Sequence, residues 1–105
     1  MKEKDIESWC KKKARDAGWF VRKFTSPANR SVPDDIFIKD GKVFFVEFKA
    51  TGAKPTLLQA AEHKTMREHG ATVLVCDSRE SFAEMLKLAD EHFQFLKDIS
   101  EGNFP

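Results

Sequence analysis

Hydrophobic residues at the start of the chain recur at the spacing of an amphipathic helix and then give way to a strand-like run. Between residues 2 and 17 the small and apolar side chains fall on one helical face, formed by Ile6, Cys10, Ala14 and Ala17. Gly18 follows and is a natural end for that helix. Residues 19–24, WFVRKF, form the first predicted strand, and the turn-rich segment TSPANRS after them predicts a loop.

The middle of the chain has the pattern of a β-hairpin. Apolar runs at residues 34–39 and 42–49 are separated by Asp40-Gly41. This dipeptide tolerates the positive φ angles that a tight hairpin turn requires. We therefore predict two strands that pair antiparallel and are joined at residues 40 and 41.

Two helices and a strand are predicted in the rest of the chain. Residues 56–69 form a helix, with Thr56 as its N-terminal cap and Gly70 closing it. TVLVCD, at 72–77, is short and almost entirely apolar, as in a strand covered on both faces. Ser78 then caps a last helix, whose apolar positions keep helical spacing: Phe82, Met85, Leu86, Ala89, Phe93 and Leu96.

The predicted order of elements is α-β-β-β-α-β-α. An antiparallel meander followed by a helical crossover to another strand gives a mixed β-sheet with helices packed on its faces. The 105 residues are about enough for one compact domain, so we expect a single α/β domain over residues 1–105. Ten phenylalanines and two tryptophans supply bulky side chains for its core.

The last predicted helix carries a second apolar stripe on another side, formed by Leu88, His92, Phe95 and Ile99. One stripe can face the sheet, whereas a second stripe needs its own cover. We therefore expect a subunit interface at this stripe. The alternative is that the C-terminal tail, with Phe104, folds back over it.

Composition restricts the class of protein and its location. No apolar run approaches the roughly 20 residues that span a bilayer, and the start MKEKDIESW lacks the apolar segment of a signal peptide. We expect a cytoplasmic protein, with no membrane partner and no small organic cofactor. Cys10 and Cys76 lie far apart in the sequence, without metal-ligand spacing, which predicts reduced and partly buried thiols.

Charge is distributed unevenly although the formal net charge is only +1. Residues 11–30 contain seven basic side chains and one acidic side chain, whereas residues 78–105 contain three basic and six acidic ones. This asymmetry is compatible with a polyanionic partner that binds the first half of the chain. A solvated helix face is the other explanation, and charge alone favours it.

The hairpin contains charged residues where strands are normally depleted in them: Asp34, Asp35, Glu47 and Lys49. Side chains alternate along a strand, so Glu47 and Lys49 project from one face, and the hairpin brings Asp34 near them. Carboxylate oxygens are hard ligands suited to Mg²⁺ or Mn²⁺, which can polarise a phosphodiester and lower the pKa of a bound water. Lys49 would orient that water or stabilise the charge that develops on phosphorus. The alternative is a plain salt bridge on a solvated face.

The first helix offers a further acid. On a helical projection Glu3 falls in the middle of the stripe formed by Ile6 and Cys10, and Glu7 falls at its edge. Glu3 would then be a third acid that points at the sheet. The alternative is that an acid so near the helix start interacts with the helix dipole or reaches solvent.

Taken together, Glu3, Pro33-Asp34, Glu47-Phe48-Lys49 and Gln59 resemble the motifs of the virus-type replication-repair nuclease (VRR-NUC) family, within the PD-(D/E)XK superfamily. The resemblance is to a stand-alone, phage-like member and runs from about residue 3 to residue 78. Its parts are an N-terminal acid, a basic loop before P-D, a V-E-x-K strand, a Gly-containing loop and a Gln early in the next helix. The resemblance implies a restriction-endonuclease-like core.

The resemblance also implies roles for individual residues. Asp34 and Glu47 would bind the metal, with the Phe48 carbonyl as a further ligand, and Lys49 would be the catalytic lysine. The remaining motif residues would lie at the catalytic site: Glu3 as the helix acid, with Glu7 as its substitute, and Gln59 on the helix after the V-E-x-K strand.

The function implied by the resemblance is a Mg²⁺- or Mn²⁺-dependent DNA endonuclease. Small viral members of the family act as homodimers on branched DNA such as four-way (Holliday) junctions, and the second apolar stripe of the last helix is compatible with such a dimer. A different interpretation is a catalytically silent module that keeps the fold and binds nucleic acid or a partner protein. The joint presence of Asp34, Glu47 and Lys49 favours catalysis.

Residues around the presumed site are given less specific predictions. Lys23, Arg30 and Lys54 are expected to contact DNA phosphates, with solvent-exposed charges as the alternative. Ser31 stands where the family usually has glycine, which predicts a different backbone conformation before Pro33. The three histidines lack metal-ligand spacing and are assigned to the surface or to helix ends: His63, His69 and His92.

Overall fold

A computed structural model describes residues 1–102 and contains a four-stranded sheet with helices on its faces. The elements, in chain order, are α1 (Glu3–Asp16), β1 (Phe20–Lys23), β2 (Asp35–Lys39), β3 (Lys42–Phe48), α2 (Leu57–Glu68), β4 (Val73–Cys76), α3 (Arg79–Glu91) and α4 (Phe93–Glu101). Within these residues no helix is both long enough and apolar enough to cross a membrane.

The strands lie in the order β1-β2-β3-β4, and both kinds of strand pairing are present. β1, β2 and β3 pair antiparallel, and β4 pairs parallel to β3. A parallel neighbour requires a crossover connection, which α2 supplies between β3 and β4. The predicted α/β fold with a mixed sheet flanked by helices is confirmed.

Local sequence signals account for the turn and the cap that shape this sheet. At the β2–β3 hairpin Asp40 and Gly41 both have positive φ, 51° and 78°, as predicted for this dipeptide. At the start of α2 the Thr56 side chain accepts a hydrogen bond from the Gln59 N–H, and the Gln59 side chain accepts one from the Thr56 N–H. This reciprocal capping box fixes where α2 begins.

The core lies between one face of the sheet and the helices α1 and α3. β2 and β3 contribute aromatic residues, among which the rings of Phe37 and Phe44 stack with their centroids 4.8 Å apart. The helices cover these rings with small and apolar side chains from their inner faces: Ile6, Cys10 and Ala14 of α1, and Phe82, Leu86 and Ala89 of α3. Cys10 and Cys76 are both free, and both are fully buried, where the sequence predicted partly buried thiols.

The single long C-terminal helix predicted from residue 78 onward is wrong. The helix ends at Glu91, and His92 adopts a non-helical conformation with φ −144° and ψ 63° before α4 begins. This break allows α4 to return to the sheet, where the Ser100 hydroxyl accepts a hydrogen bond from the Val73 N–H and donates one to the Val73 carbonyl. A straight helix would carry Ser100 away from β4.

The break also changes the second apolar stripe that was predicted on that helix. Leu88 packs against the core from α3, and His92 lies at the break, so the four residues do not form one helical stripe. Phe95 and Ile99, on α4, remain 42% and 38% exposed. The alternative cover, Phe104, lies outside the described residues.

Candidate active site

The register of the hairpin places Asp34 beside Glu47. Asp35 lies opposite Val46 in the β2–β3 pair, so Asp34 and Glu47 are the next opposed positions along the two strands. Because side chains alternate between the faces of a sheet, Asp34 and Glu47 project from one face and Asp35 projects from the other. The structure therefore brings together two of the predicted acids and separates them from the third acid of the hairpin.

Asp34 is held in place by main-chain hydrogen bonds at the edge of this face. Its Oδ2 accepts a hydrogen bond of 2.7 Å from the Phe48 N–H, and its carbonyl accepts one of 2.8 Å from the Phe24 N–H. The N–H and C=O of one strand residue point to the same side of the strand, so the Phe48 carbonyl also faces the Asp34 edge. Asp34, Glu47 and the Phe48 carbonyl thus share one corner of the sheet.

Glu47 is only 3% exposed, and polar side chains surround its carboxylate. Oε2 lies 3.6 Å from the Lys49 Nζ and 3.4 Å from the Gln59 Nε2. Oε1 lies 3.6 Å from the Nε2 of His63. The structure therefore brings Lys49 and Gln59, both predicted site residues, into direct contact with Glu47.

The capping box of α2 orients Gln59 toward the acid. Its side-chain oxygen is used to accept the Thr56 N–H, at 3.0 Å, so the amide nitrogen is the end that faces Glu47. Gln59, in the first turn of α2, is thereby fixed at both ends of its side-chain amide. The helix start and the acid on β3 are joined through one side chain.

His63 was not predicted as a site residue, and its assignment to a surface or helix-end role is wrong. It is 1% exposed and lies on the inner side of α2 against Glu47. The sequence contained a usable signal, because His63 follows Gln59 by four residues and side chains four apart on a helix share a face. The spacing of the histidines gave no information about this contact, because the partner of His63 is an acid on another element.

The electrostatics of Asp34 are those of a carboxyl group beside another acid. Burial raises the pKa of Asp34 to about 6; the hydrogen bond from the Phe48 N–H acts in the opposite direction, and the charge of Glu47 raises the pKa further. Two carboxylates in a partly buried corner repel each other unless a cation or a proton lies near them. This corner therefore favours either a protonated Asp34 or a bound cation.

The residues present fit a Mg²⁺ or Mn²⁺ ion. Within residues 1–102 no three His, Cys, Asp or Glu side chains are grouped to hold a metal. Mg²⁺ takes only one or two protein carboxylates and keeps several waters, so Asp34, Glu47 and the Phe48 carbonyl form a sufficient donor set. In addition, the Glu47 Oε1 is buried without a hydrogen-bond partner, an arrangement that is costly unless a compensating group binds nearby.

Of the two site acids predicted on α1, Glu7 lies at the edge of the buried stripe, as its helical projection predicts, whereas Glu3 does not lie on the stripe. Glu3 is exposed, so its predicted position on the buried stripe is wrong, because the stripe on α1 begins only at Ile6. Glu7 is half-buried, and its Oε2 lies 3.1 Å from the Nζ of Lys23. The charge of Glu7 also raises the pKa of Asp34. A role for either acid in metal binding stays a prediction.

Asp35 lies on the opposite face of the sheet, where it contacts α1. It is fully buried, and its Oδ1 lies 3.1 Å from the Nζ of Lys11. Burial, followed by the contact with Glu7, raises the pKa of Asp35 to about 7. Asp35 thus joins α1 to the sheet and takes no part in the corner formed by Asp34 and Glu47.

The loop that leads into Asp34 is docked on α2. The Asn29 side chain donates a hydrogen bond of 2.8 Å to Glu62 and accepts one of 2.8 Å from the Ser31 N–H. Ser31 does not have a positive φ, since Asp40 is the one non-glycine residue with a positive φ among residues 1–102. Serine therefore meets no backbone strain at the position where the family usually has glycine. Arg30 lies exposed on this loop.

The fold and the site define the class of protein. A mixed sheet flanked by helices, with acids from two adjacent strands and a lysine two residues after the second acid, is the arrangement of restriction-endonuclease-like nucleases. A solved structure described as "VRR_NUC domain" matches with a TM-score of 0.74 and 28% identity, covering 86% of this chain and 96% of that chain.

A sequence relative gives the family. The chain is 40% identical over 81 residues to "Putative nuclease p44" of Acyrthosiphon pisum secondary endosymbiont phage 1, which covers 76% of this chain and 87% of that protein. No family model matches the chain. The chain belongs to the VRR-NUC family of nucleases, as a phage-like member.

Replacing Asp34 with asparagine is expected to remove one source of the pH dependence of folding. Because the pKa of Asp34 is raised from 3.8 to about 6, folding favours its protonated form. The stability that this contributes is present below about pH 4 and is lost as the pH rises through about 6. In EDTA, the melting temperature of Asp34→Asn minus that of the wild type should therefore increase as the pH rises from about 4 to about 6.

The matched control for this pH experiment is Asp40→Asn in the exposed hairpin turn, where asparagine also tolerates positive φ. If the difference between Asp34→Asn and the wild type changes no more with pH than the difference between Asp40→Asn and the wild type, the raised pKa of Asp34 is contradicted.

Proposed function

We propose that this protein is a divalent-metal-dependent endonuclease that hydrolyses DNA phosphodiester bonds. The observation that carries the proposal is the buried Glu47 carboxylate, which contacts Lys49 and Gln59 on the same sheet face as Asp34. The Phe48 carbonyl would complete the donor set for Mg²⁺ or Mn²⁺. The phage relative supports action in the cytoplasm of a bacterial or virus-infected cell.

The chemistry is hydrolysis, in which water adds to phosphorus and one P–O ester bond breaks. When bound, the cation would polarise the phosphodiester and lower the pKa of a bound water. The Lys49 ammonium, held 3.6 Å from Glu47, would stabilise the negative charge that develops on the phosphoryl oxygens. Gln59 holds the Oε2 of Glu47 from the other side. Burial of Glu47 keeps these contacts out of bulk water and thereby strengthens them.

A basic surface along α1 supports DNA as the substrate. Lys4, Ser8, Lys11 and Arg15 follow helical spacing and, with Glu7 and Lys23, line a depression of about 310 Å³. Glu7 is the one acid in this lining, which leaves an excess of positive charge. Lys23 ends β1, and the N–H of the next residue, Phe24, donates a hydrogen bond to the Asp34 carbonyl, so the depression reaches the strand end beside Asp34. We propose that a DNA backbone follows the depression to Asp34, with Arg30 and Lys54 contacting phosphates on the exposed loops that flank the site.

Reversing two of these charges is expected to weaken DNA binding and to lower its salt dependence. The double variant Lys4→Glu, Arg15→Glu should reduce the slope of log affinity against log salt by about 0.9 for each phosphate that the protein no longer neutralises. Binding is measured by fluorescence anisotropy in EDTA, so that cleavage does not interfere. The matched control is Lys64→Glu, Lys87→Glu, which makes the same charge change on exposed positions of α2 and α3. Equal weakening of binding in both double variants would contradict the proposal that the DNA backbone follows the depression along α1.

We propose further that the preferred DNA is branched and that the active form is a homodimer. The exposed Phe95 and Ile99 of α4 are the remaining part of the predicted interface, and burying them against a second copy would cover this apolar surface. Sedimentation should give the mass of two chains. A monomer at micromolar concentration would contradict the dimer and leave the nuclease site unaffected.

The experiment that tests the function compares DNA substrates at equal concentration. Supercoiled plasmid, linear duplex and a synthetic four-way junction are incubated with the protein in Mg²⁺, Mn²⁺ or EDTA. The proposal predicts metal-dependent cutting, fastest at the junction. Equal cutting of linear duplex would remove the branched-DNA preference, and the absence of cutting with tight junction binding would favour a catalytically silent binding module.

A further inference from the structure

His63 and Glu47 form a buried polar contact that the proposed chemistry does not yet use. The imidazole Nε2 and the carboxylate Oε1 are 3.6 Å apart, and the two residues are 1% and 3% exposed. Neither atom has a hydrogen-bond partner within the part of the chain that the structure describes. Two unpaired polar atoms that face each other in a dry interior need an explanation, since each loses its hydration without a full hydrogen bond in return.

Packing alone does not explain a histidine at this position. A leucine has a similar volume and would fill the space between α2 and β3 without desolvating a polar ring. The imidazole instead places a nitrogen against one oxygen of the acid that carries the proposed site. The feature that distinguishes histidine from an apolar residue at this position is therefore a ring nitrogen that faces Glu47.

The two oxygens of Glu47 have different neighbours. Oε2 faces Lys49 and Gln59, whereas Oε1 faces His63 alone among the described residues. An acid with three possible contacts on one carboxylate is held in a single rotation only if both of its oxygens are engaged. Without His63, the carboxylate would be anchored at Oε2 and free to turn about that contact.

We propose that His63 is a positioning residue for the metal site, whose Nε2–H donates a hydrogen bond to the Oε1 of Glu47. This inference rests on the proposed function, because it assigns to His63 the task of orienting a metal-ligating carboxylate. Carboxylates that bind metals are themselves hydrogen-bonded, and such partners fix the orientation of the ligand. The contact of 3.6 Å shortens to a hydrogen bond with a small shift of the ring, as catalytic contacts do when their ligand binds.

The test compares Mn²⁺ affinity among His63 variants at one fixed pH. His63→Leu keeps the volume and removes the donor, whereas His63→Gln keeps a side-chain N–H. The proposal predicts a loss of about 10- to 100-fold in Mn²⁺ affinity for His63→Leu and near-wild-type affinity for His63→Gln. His69→Leu, on an exposed position just after α2, is the matched control and should bind as the wild type does.

Two readouts separate positioning from other roles and do not depend on cleavage. In the wild type, ¹⁵N NMR of the imidazole should show a proton on the Nε2 of His63, and this measurement stands even if His63→Leu fails to fold. Electron spin-echo spectroscopy of bound Mn²⁺ should show no directly coordinated ¹⁴N. A proton absent from Nε2, or a coordinated nitrogen, would overturn the positioning role.

The outcomes also distinguish this inference from the proposed function. If the wild type binds Mn²⁺ and a folded His63→Leu binds it equally well, the role of His63 fails while the metal site stands. If His63→Gln is as weak as His63→Leu, a hydrogen-bond donor is not what the site requires, and the inference fails in the same way. If the wild type binds no Mn²⁺, the proposed metal site itself fails.

Discussion

Lys49→Met is expected to lower the rate of DNA cleavage by about 10²- to 10³-fold while leaving the fold intact. The loss is large because the Lys49 ammonium, 3.6 Å from Glu47, would be the cation of the protein nearest to the charge that develops on phosphorus. Methionine keeps most of the length and the apolar stem and removes only that charge. The measurement is the initial rate of supercoiled plasmid conversion at saturating Mg²⁺.

The control for this substitution is Lys54→Met, which makes the same change on an exposed residue of the loop before α2. It should affect cleavage far less, through weaker DNA binding alone. Circular dichroism of both variants in EDTA verifies that each is folded. Cleavage by Lys49→Met within a few-fold of the wild-type rate would show that this lysine does not act in the reaction.

Glu47→Gln is expected to abolish both cleavage and the stabilisation that a bound metal gives to the fold. A ligand that binds only the folded state stabilises it by about 2.7 kcal/mol at a concentration of about 100 times its Kd. Glutamine preserves the size of the buried side chain but gives up the charge that a hard cation requires. The melting temperature of the wild type should therefore rise when Mn²⁺ is added, and that of Glu47→Gln should not.

A matched acid on the same side of the fold provides the comparison. Glu68→Gln lies at the exposed end of α2 and should keep the full Mn²⁺-induced rise in melting temperature. If Glu47→Gln and Glu68→Gln respond to Mn²⁺ alike, the metal does not bind at Glu47. In a plasmid cleavage assay, Glu68→Gln should cut as the wild type does, and Glu47→Gln should not cut.

Much of the fold could be predicted because the decisive signals are local. The positive φ angles of Asp40 and Gly41 are a property of that dipeptide, and the cap of α2 is formed by Thr56 and Gln59, three residues apart. The break at His92 could not be predicted, since the apolar spacing continues across it. It depends on the hydrogen bonds between Ser100 and Val73, which connect residues 27 apart in the sequence.

In the candidate site, the placement of the strand residues could be predicted from the sequence, whereas the placement of Glu3 on α1 could not. The strand period and the hairpin turn together determine the register, which places Asp34 opposite Glu47 and turns Asp35, its direct neighbour, to the other face. A helical projection was less informative. It gives the direction of Glu3 around the axis of α1 but not whether the sheet extends that far along the axis, and Glu3 is exposed.

His63 shows what a search for ligand spacing leaves out. Its partner is an acid on a different element, and the contact exists because the capping box sets the start of α2 and thus the face that His63 presents to β3. Only the combination of cap, helix period and strand register would have placed the imidazole against Glu47. Each of these signals was present in the sequence, but their joint geometry is a tertiary property.

The central claim is that Asp34 and Glu47 bind one divalent cation between them. The most direct test is a calorimetric titration of Mn²⁺ into the wild type, Asp34→Asn and Glu47→Gln at a pH above the pKa of Asp34, which is about 6. We predict a binding site in the wild type that both substitutions abolish. Binding to Asp34→Asn with the affinity and stoichiometry of the wild type would contradict the claim.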